Sequence, residues 1–308
     1  MPTFSRIVLS IAVFFLFLCA PHNAGAHNAE AEKSHYDFAD SLFYEKDYER
    51  AITEYKRCIF LFPDGALSEK AALMIGHSYF YLERWSEAVA SFGKFIERYR
   101  ESPDIAEASF FKGAGERRLK RYNDALSSLE RIEKTDSKEY RDRAFVERAL
   151  VYVDQDAWRM AQRLFSKINE KSDYFDSSRI FSQSLDNVDN IPRKSPAVAG
   201  TLAAILPGAG HLYTERYRDA LVAFLLNGVF IGAACEFFDD EHYCAGTIAS
   251  IFELGWYAGN IYSAVGSSHK FNRRMRNDFI NGLMIKTGIS SFNNSNIDFK
   301  YVTLGFVY

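Results

Sequence analysis

Apolar and polar positions follow two regimes along this chain. Between residues 33 and 170 the apolar positions fall at helical spacing, and a four-column pattern returns every 36 or 37 residues. An aromatic residue stands three positions before Ala at Tyr48/Ala51, Trp85/Ala88, Tyr122/Ala125 and Trp158/Ala161. Twelve positions before each Ala lies a small residue (Ala39, Gly76, Gly113, Ala149), and four after it a large apolar one (Tyr55, Phe92, Leu129, Phe165). Pro63 and Pro103 close the first two units, where a residue without an N–H can stop a helix. The pattern predicts about four helix–turn–helix repeats over residues 27–171. No unit can bury its apolar face alone, so neighbours must share one core. Residues 172–195 are polar and irregular and read as a capping helix and linker.

The second regime is long and uncharged. Segments 197–213, 220–238 and 243–266 are apolar, the last two separated by Asp239-Asp240-Glu241-His242. Each of the two longer ones is close to the roughly 20 residues that cross a bilayer, so residues 196–276 read as a membrane domain. The alternative is a buried soluble hairpin, since both helices carry polar residues. Gly228/Gly232 and Gly255/Gly259 form two G-x-x-x-G pairs, which would let the helices approach closely. Folding the hairpin about its acidic turn sets Cys235 opposite Cys244, a candidate disulfide in an oxidising compartment. His211, Asn227, Glu253 and Asn260 form a candidate intramembrane polar cluster. Its competing reading is a hydrogen bond between Glu253 and Asn227 that only fixes packing.

Positive charges at Arg216, Arg218, Lys270, Arg273, Arg274 and Arg276 flank the acidic turn. By the positive-inside rule those flanks face the cytoplasm, which requires residues 196–213 to cross as well, giving three crossings. A re-entrant segment 196–213 is the other arrangement. In the tail, 277–308, the runs 282–292 and 297–308 flank an Asn-rich turn, and Val302, Leu304, Phe306 and Tyr308 alternate. That predicts a short C-terminal β-hairpin. At the other end, Arg6, the apolar run Ile7–Ala20 and Ala24-Gly25-Ala26 describe a secretory signal peptide over residues 1–26. A lipoprotein signal using Cys19 is its rival, weakened by Leu18 where a small residue is preferred.

The four columns resemble the tetratricopeptide repeat, and their slightly long period resembles its cell-envelope members, such as the assembly lipoprotein BamD and the Tol-Pal coordinator CpoB. The resemblance implies a mainly α solenoid with a peptide groove along its first helices. Carried over by phase, that groove falls on Tyr36, Asp40, Phe43 and Tyr44, on Lys70, Leu73, His77, Phe80 and Tyr81, and on Glu107, Phe110, Ala114, Arg117 and Arg118. Arg117 and Arg118 would grip an acidic element while the aromatics bury apolar side chains. The Leu206–Tyr213 segment, followed by Tyr217, Arg218, Asp219 and Ala220, weakly resembles the lead-in of TM2-type two-helix membrane domains.

Charge sharpens the division. Residues 27–195 carry 28 basic and 31 acidic side chains, whereas residues 196–308 carry 8 and 9. A net charge of −3 offers no basic field for nucleic acid. Hydrolase, Walker and metalloprotease motifs are missing, and no His/Cys spacing suits a metal, so no catalytic residue, cofactor or metal is expected. Cys58 reads as an inert buried thiol. The chain is thus expected to be a non-enzymatic scaffold of the bacterial envelope, binding protein partners and membrane lipid. Its repeats would be periplasmic and its anchor in the inner membrane, or alternatively the outer. The competing functions are an assembly factor of BamD or CpoB type, and a transporter or intramembrane enzyme centred on Glu253.

Overall fold

The computed structural model describes residues 24–135 and 137–289. Residues 1–23 and 290–308 lie outside them. The chain divides after Asp176 into two compact units, and the described residues of both are helical, with no strand among them.

In the first unit α1 (Ala24–Tyr44) pairs with α2 (Tyr48–Leu61), α3 (Ser68–Tyr81) with α4 (Trp85–Arg98), α5 (Ile105–Arg118) with α6 (Tyr122–Glu130), and α7 (Lys138–Asp154) with α8 (Trp158–Phe165). The sequence columns have a steric cause. A Cβ on Gly76 would stand 2.6 Å from the Phe92 ring, and one on Gly113 would stand 2.6 Å from Leu129 Cγ. The small residue of the first helix is therefore the seat of the large one in the second. Phe80, Phe92, Phe95, Phe110 and Phe111 are fully buried between the middle units and hold neighbouring repeats in one core. Cys58 is a buried free thiol.

One turn recurs. Lys46, Glu83, Lys120 and Asp156 all adopt φ between 58° and 65°. The next N–H reaches back five residues, as from Arg84 to the Tyr79 carbonyl at 3.0 Å. This is a Schellman ending with a non-glycine residue in the left-handed position, and the column aromatic stands two positions after that residue. A further tie runs between repeats: the buried Glu32 carboxylate accepts from Ala66 and Leu67 N–H at 3.2 and 2.7 Å, capping the start of α3 from 35 residues away.

The second unit contains α9 (Phe175–Ser184) with a 3₁₀ turn at Leu185–Asn190, then α10 (Pro196–Ile205), α11 (Ala209–Tyr213), α12 (Tyr217–Asp239) and α13 (Tyr243–Thr287). Its turns repeat those of the first unit. Glu215 and Glu241 are left-handed, Arg216 N–H bonds the His211 carbonyl at 2.9 Å, and Tyr217 and Tyr243 follow. Gly208, Tyr217, Ala220 and Phe224 even reproduce the four columns at the same internal spacing.

Several expectations change here. Residues 196–213 do not form one continuous helix. At 1.5 Å per residue the ten-residue α10 is about 15 Å long. Gly208 (φ 87°) then turns the chain back, and Gly210 lies so close to α10 that a Cβ there would stand 2.2 Å from the Ala199 carbonyl oxygen. Both ends of the segment meet at one place, with Ser195 N–H bonded to Tyr213 Oη at 3.1 Å. The segment folds back on itself as two short helices. The same end is clamped to α13: Asn272 accepts from Lys194 N–H at 2.7 Å and donates to its carbonyl at 2.9 Å.

The G-x-x-x-G pairs do not seat a neighbouring helix, because Cβ atoms on Gly228, Gly232, Gly255 and Gly259 would meet nothing within 4 Å. Ala220, Ala223 and Ala234 of α12 are buried, and Gly246 of α13 lies close under α12, where a Cβ would stand 3.0 Å from the Phe238 ring. Cys235 and Cys244 are free and exposed rather than disulfide-bonded. The packed face carries Ala234, and one residue further turns Cys235 about 100° away from it. Finally, α13 continues without a break through residue 276 and ends at Thr287 with a left-handed Gly288. The first part of the expected β-hairpin is therefore helix, since Ile280 and Leu283 are buried at helical spacing. The second strand, 297–308, lies outside the described residues.

Candidate functional site

The first helices of the repeats carry the candidate groove, and the structure divides its residues into two sets. Tyr36, Phe43, Leu73, His77, Phe80, Tyr81, Phe110 and Ala114 are buried. Their aromatic rings join repeat to repeat: Phe43 meets Tyr81 edge-on at 5.5 Å, and Phe80 meets Phe111 at 5.1 Å. Tyr44 and Lys70 are exposed, while Asp40, Glu107 and Arg118 are half-buried. The expected aromatic-lined floor is thus mostly the core of the solenoid, because these rings gain more from packing between helices than from facing water.

Arg117 does not await a partner carboxylate. It is 6% exposed, its Nε donates to Glu147 at 2.6 Å and its Nη1 to Asp154 at 3.0 Å. Burial works against its charge, but these two carboxylates outweigh that and push its pKa up. Arg118 lies over the Trp85 ring at 5.4 Å. Arg117, with both carboxylates in place, is not free to grip an acidic peptide.

Beside the exposed Lys70, this face carries several half-buried carboxylates. Burial raises the Asp40 carboxyl above its ordinary value even though Tyr55 Oη donates to it at 2.9 Å. Asp104 is raised by burial and by the nearby charges of Glu107 and Glu69. Glu107 goes the other way. Burial opposes its charge, yet a 2.8 Å contact with His77 Nε2 and hydrogen bonding from Tyr140 hold its carboxyl below the usual range. Lys70 lies over the Tyr36 ring at 5.9 Å. The sequence reading missed Glu69 and Asp104. Asp104 begins α5 from a loop, outside the repeat columns, so no periodic signal marked it.

In the second unit the expected polar cluster is buried but not joined. Asn227 donates to the Ala223 carbonyl at 2.5 Å, and its Oδ1, both Glu253 carboxylate oxygens and both Asn260 amide atoms have no protein partner. His211 Nδ1 meets Ser267 Oγ at 3.3 Å. The expected Glu253–Asn227 hydrogen bond is not formed. No group of His, Cys, Asp and Glu among the described residues could hold a metal ion.

Residues 28–170 match the family described as YfiO: Outer membrane lipoprotein. The match stops short of the second unit. A tetratricopeptide repeat protein from Parabacteroides merdae is 14% identical, with 83% of this chain and 99% of that one covered at a TM-score of 0.45. PilW, described as a widely conserved type IV pilus biogenesis factor, is 15% identical, with 84% and 95% covered at 0.42. No curated protein matches the chain. The four phased columns, the helix pairs they build and the family match fall on the same residues: across 28–170 the chain carries tetratricopeptide-like helix pairs and is similar to the YfiO outer-membrane lipoproteins.

Proposed function

We propose that the repeats capture a protein segment carrying lysine or arginine, while the second unit tethers the chain to the envelope membrane. The observation that carries the first part is the charge of the open first-helix face. Asp104 lies near Glu69 and Glu107, Asp40 shares the nearby Lys70 with Asp104, and Arg117, the expected anion grip, is already paired with Glu147 and Asp154. Carboxylates at a half-desolvated surface favour a cationic partner and steer its approach. This overall role, a protein-interaction scaffold in envelope assembly, suits the repeat fold.

The test uses labelled peptides of equal length, one lysine-rich and one glutamate-rich, titrated onto the full chain in detergent. The lysine-rich peptide should bind at least tenfold tighter and lose that advantage in the Asp40→Lys/Asp104→Lys variant. Equal binding of the two peptides, or no effect of the variant, defeats the reading.

Support for the tether comes from exposure. α12 is about 34 Å long at 1.5 Å per residue, enough to span a hydrocarbon core of about 30 Å. Only 17% of its most apolar stretch is buried, whereas the core helix of a soluble domain is mostly covered. The fold-back of residues 196–213 brings the linker to the basic end of the hairpin, which favours insertion from the linker side over the orientation expected from charge. A membrane-impermeant maleimide should then label Ser195→Cys in intact cells with a permeabilised outer membrane, and leave Cys235 and Cys244 unlabelled. Labelling of the native cysteines from the same side would refute the insertion.

A further inference from the structure

A cavity of about 620 Å³ runs along α12 and α13, within the size range of small-ligand sites. Its walls grade from polar to apolar. His211, Arg216 and Asp219 line one end, and Val222, Ile251 and Phe252 line the rest. Gly255 and Gly259 leave the floor open, since a Cβ on either would meet nothing within 4 Å. Part-way along, Asn260 lines the cavity while only 6% exposed, with neither its carbonyl oxygen nor its amide nitrogen paired. A buried amide without partners is costly, and a ligand offering both a donor and an acceptor would satisfy it.

The length of the groove narrows the ligand. From Ile251 to Ser263 along α13 is about 18 Å at 1.5 Å per residue. Half of a hydrocarbon core of about 30 Å is about 15 Å, so the groove matches one leaflet's chain. Its polar end carries one cation and one anion, already ion-paired as Arg216 and Asp219. A phosphate would face Arg216 and an ammonium Asp219, whereas a purely anionic head would meet Asp219 as a like charge.

We propose that this cavity binds one chain of a zwitterionic phospholipid of the phosphatidylethanolamine type, its head at Arg216 and Asp219 and its ester level at Asn260. The proposal rests on the tether reading and adds to it a defined lipid site.

The full chain, purified in a maltoside detergent, would be titrated with phosphatidylethanolamine and with phosphatidylglycerol of identical chains, and retained lipid counted by native mass spectrometry. One phosphatidylethanolamine should be held at least tenfold tighter than phosphatidylglycerol. Gly255→Leu/Gly259→Leu should lower its retention at least tenfold with unchanged circular dichroism. Asp219→Asn, which leaves the groove open, should abolish the preference between heads. Equal retention of both lipids by the unmodified chain, or a preference that survives Asp219→Asn, overturns the site. Carbonate extraction separates the two readings. A chain released from membranes that still selects phosphatidylethanolamine refutes the tether alone; one that stays and does not select refutes this site alone.

Discussion

The two units build the same helical hairpin and fill it oppositely. In the repeats, Phe80, Phe92, Phe110 and Phe111 are buried, and charged side chains make most of the surface. In the second unit, Phe224, Phe252, Leu254 and Trp256 are about half or more exposed, while Asn227, Glu253 and Asn260 are buried. The connecting turns are the same in both, down to the left-handed residue and the aromatic two positions later. Turn chemistry therefore sets the joint and is indifferent to the surroundings. The radial placement of apolar residues around each helix is what differs, and that placement answers to the solvent.

The largest test of this contrast replaces one ring in each unit. Phe111→Ala should cost about 3–5 kcal/mol, because it opens a cavity among Phe80, Phe92 and Phe110. Phe252→Ala should change stability by no more than about 0.5 kcal/mol in micelles, since its ring faces outward. Denaturant titration, followed by tryptophan fluorescence in a Trp256→Phe background, reads the repeats alone for the first variant. Far-ultraviolet circular dichroism follows the second. Equal costs would erase the distinction.

The buried charges sharpen it next. Arg117→Ala leaves the Glu147 carboxylate uncompensated in the core and should cost about 3–5 kcal/mol. Glu253→Gln removes a carboxylate with no partner, so its melting temperature should hold or rise. A large loss at Glu253 would mean that the second unit depends on a buried ion as the first does. A smaller effect belongs to the inter-repeat cap. Glu32→Ala should cost about 1 kcal/mol and raise amide exchange first at Ala66 and Leu67.

The smallest effect is in acid. The folded-state pKa of Glu107 lies below its ordinary value of 4.5. Its stabilising contribution is present above that ordinary value and is lost as pH falls through the depressed one. Glu107→Gln should therefore flatten this part of the acid-unfolding curve, and an unchanged acid limb would show that the His77 contact carries no stability.

Much of this arrangement is legible in residues. The small-residue column exists because Phe92 and Leu129 rest where a side chain on Gly76 or Gly113 would be, and a contact that tight leaves a mark in any sequence. The groove was harder. Helical spacing says that Phe80 and Phe110 lie on an apolar face, but both sides of a solenoid helix can be apolar, so periodicity does not choose between groove and core. Arg117 finds its partners 30 and 37 residues away, on a helix whose rotation only packing fixes. The glycine pairs show that one helix face is bare without saying what stands opposite. The repeat columns at Gly208, Tyr217, Ala220 and Phe224 were written in the chain but broke the period, since Ala220 follows Ala161 by 59 residues.

The Asn272 clamp has a mechanical consequence. Its amide holds Lys194 by both backbone groups, as a neighbouring strand would, at the point where the linker meets the hairpin. A pull on the linker is therefore delivered sideways into the long α13, and the short α10–α11 loop behind the clamp stays slack. The clamp resists as a cleat holds a rope, so tension on the linker loads the longest helix of the unit first.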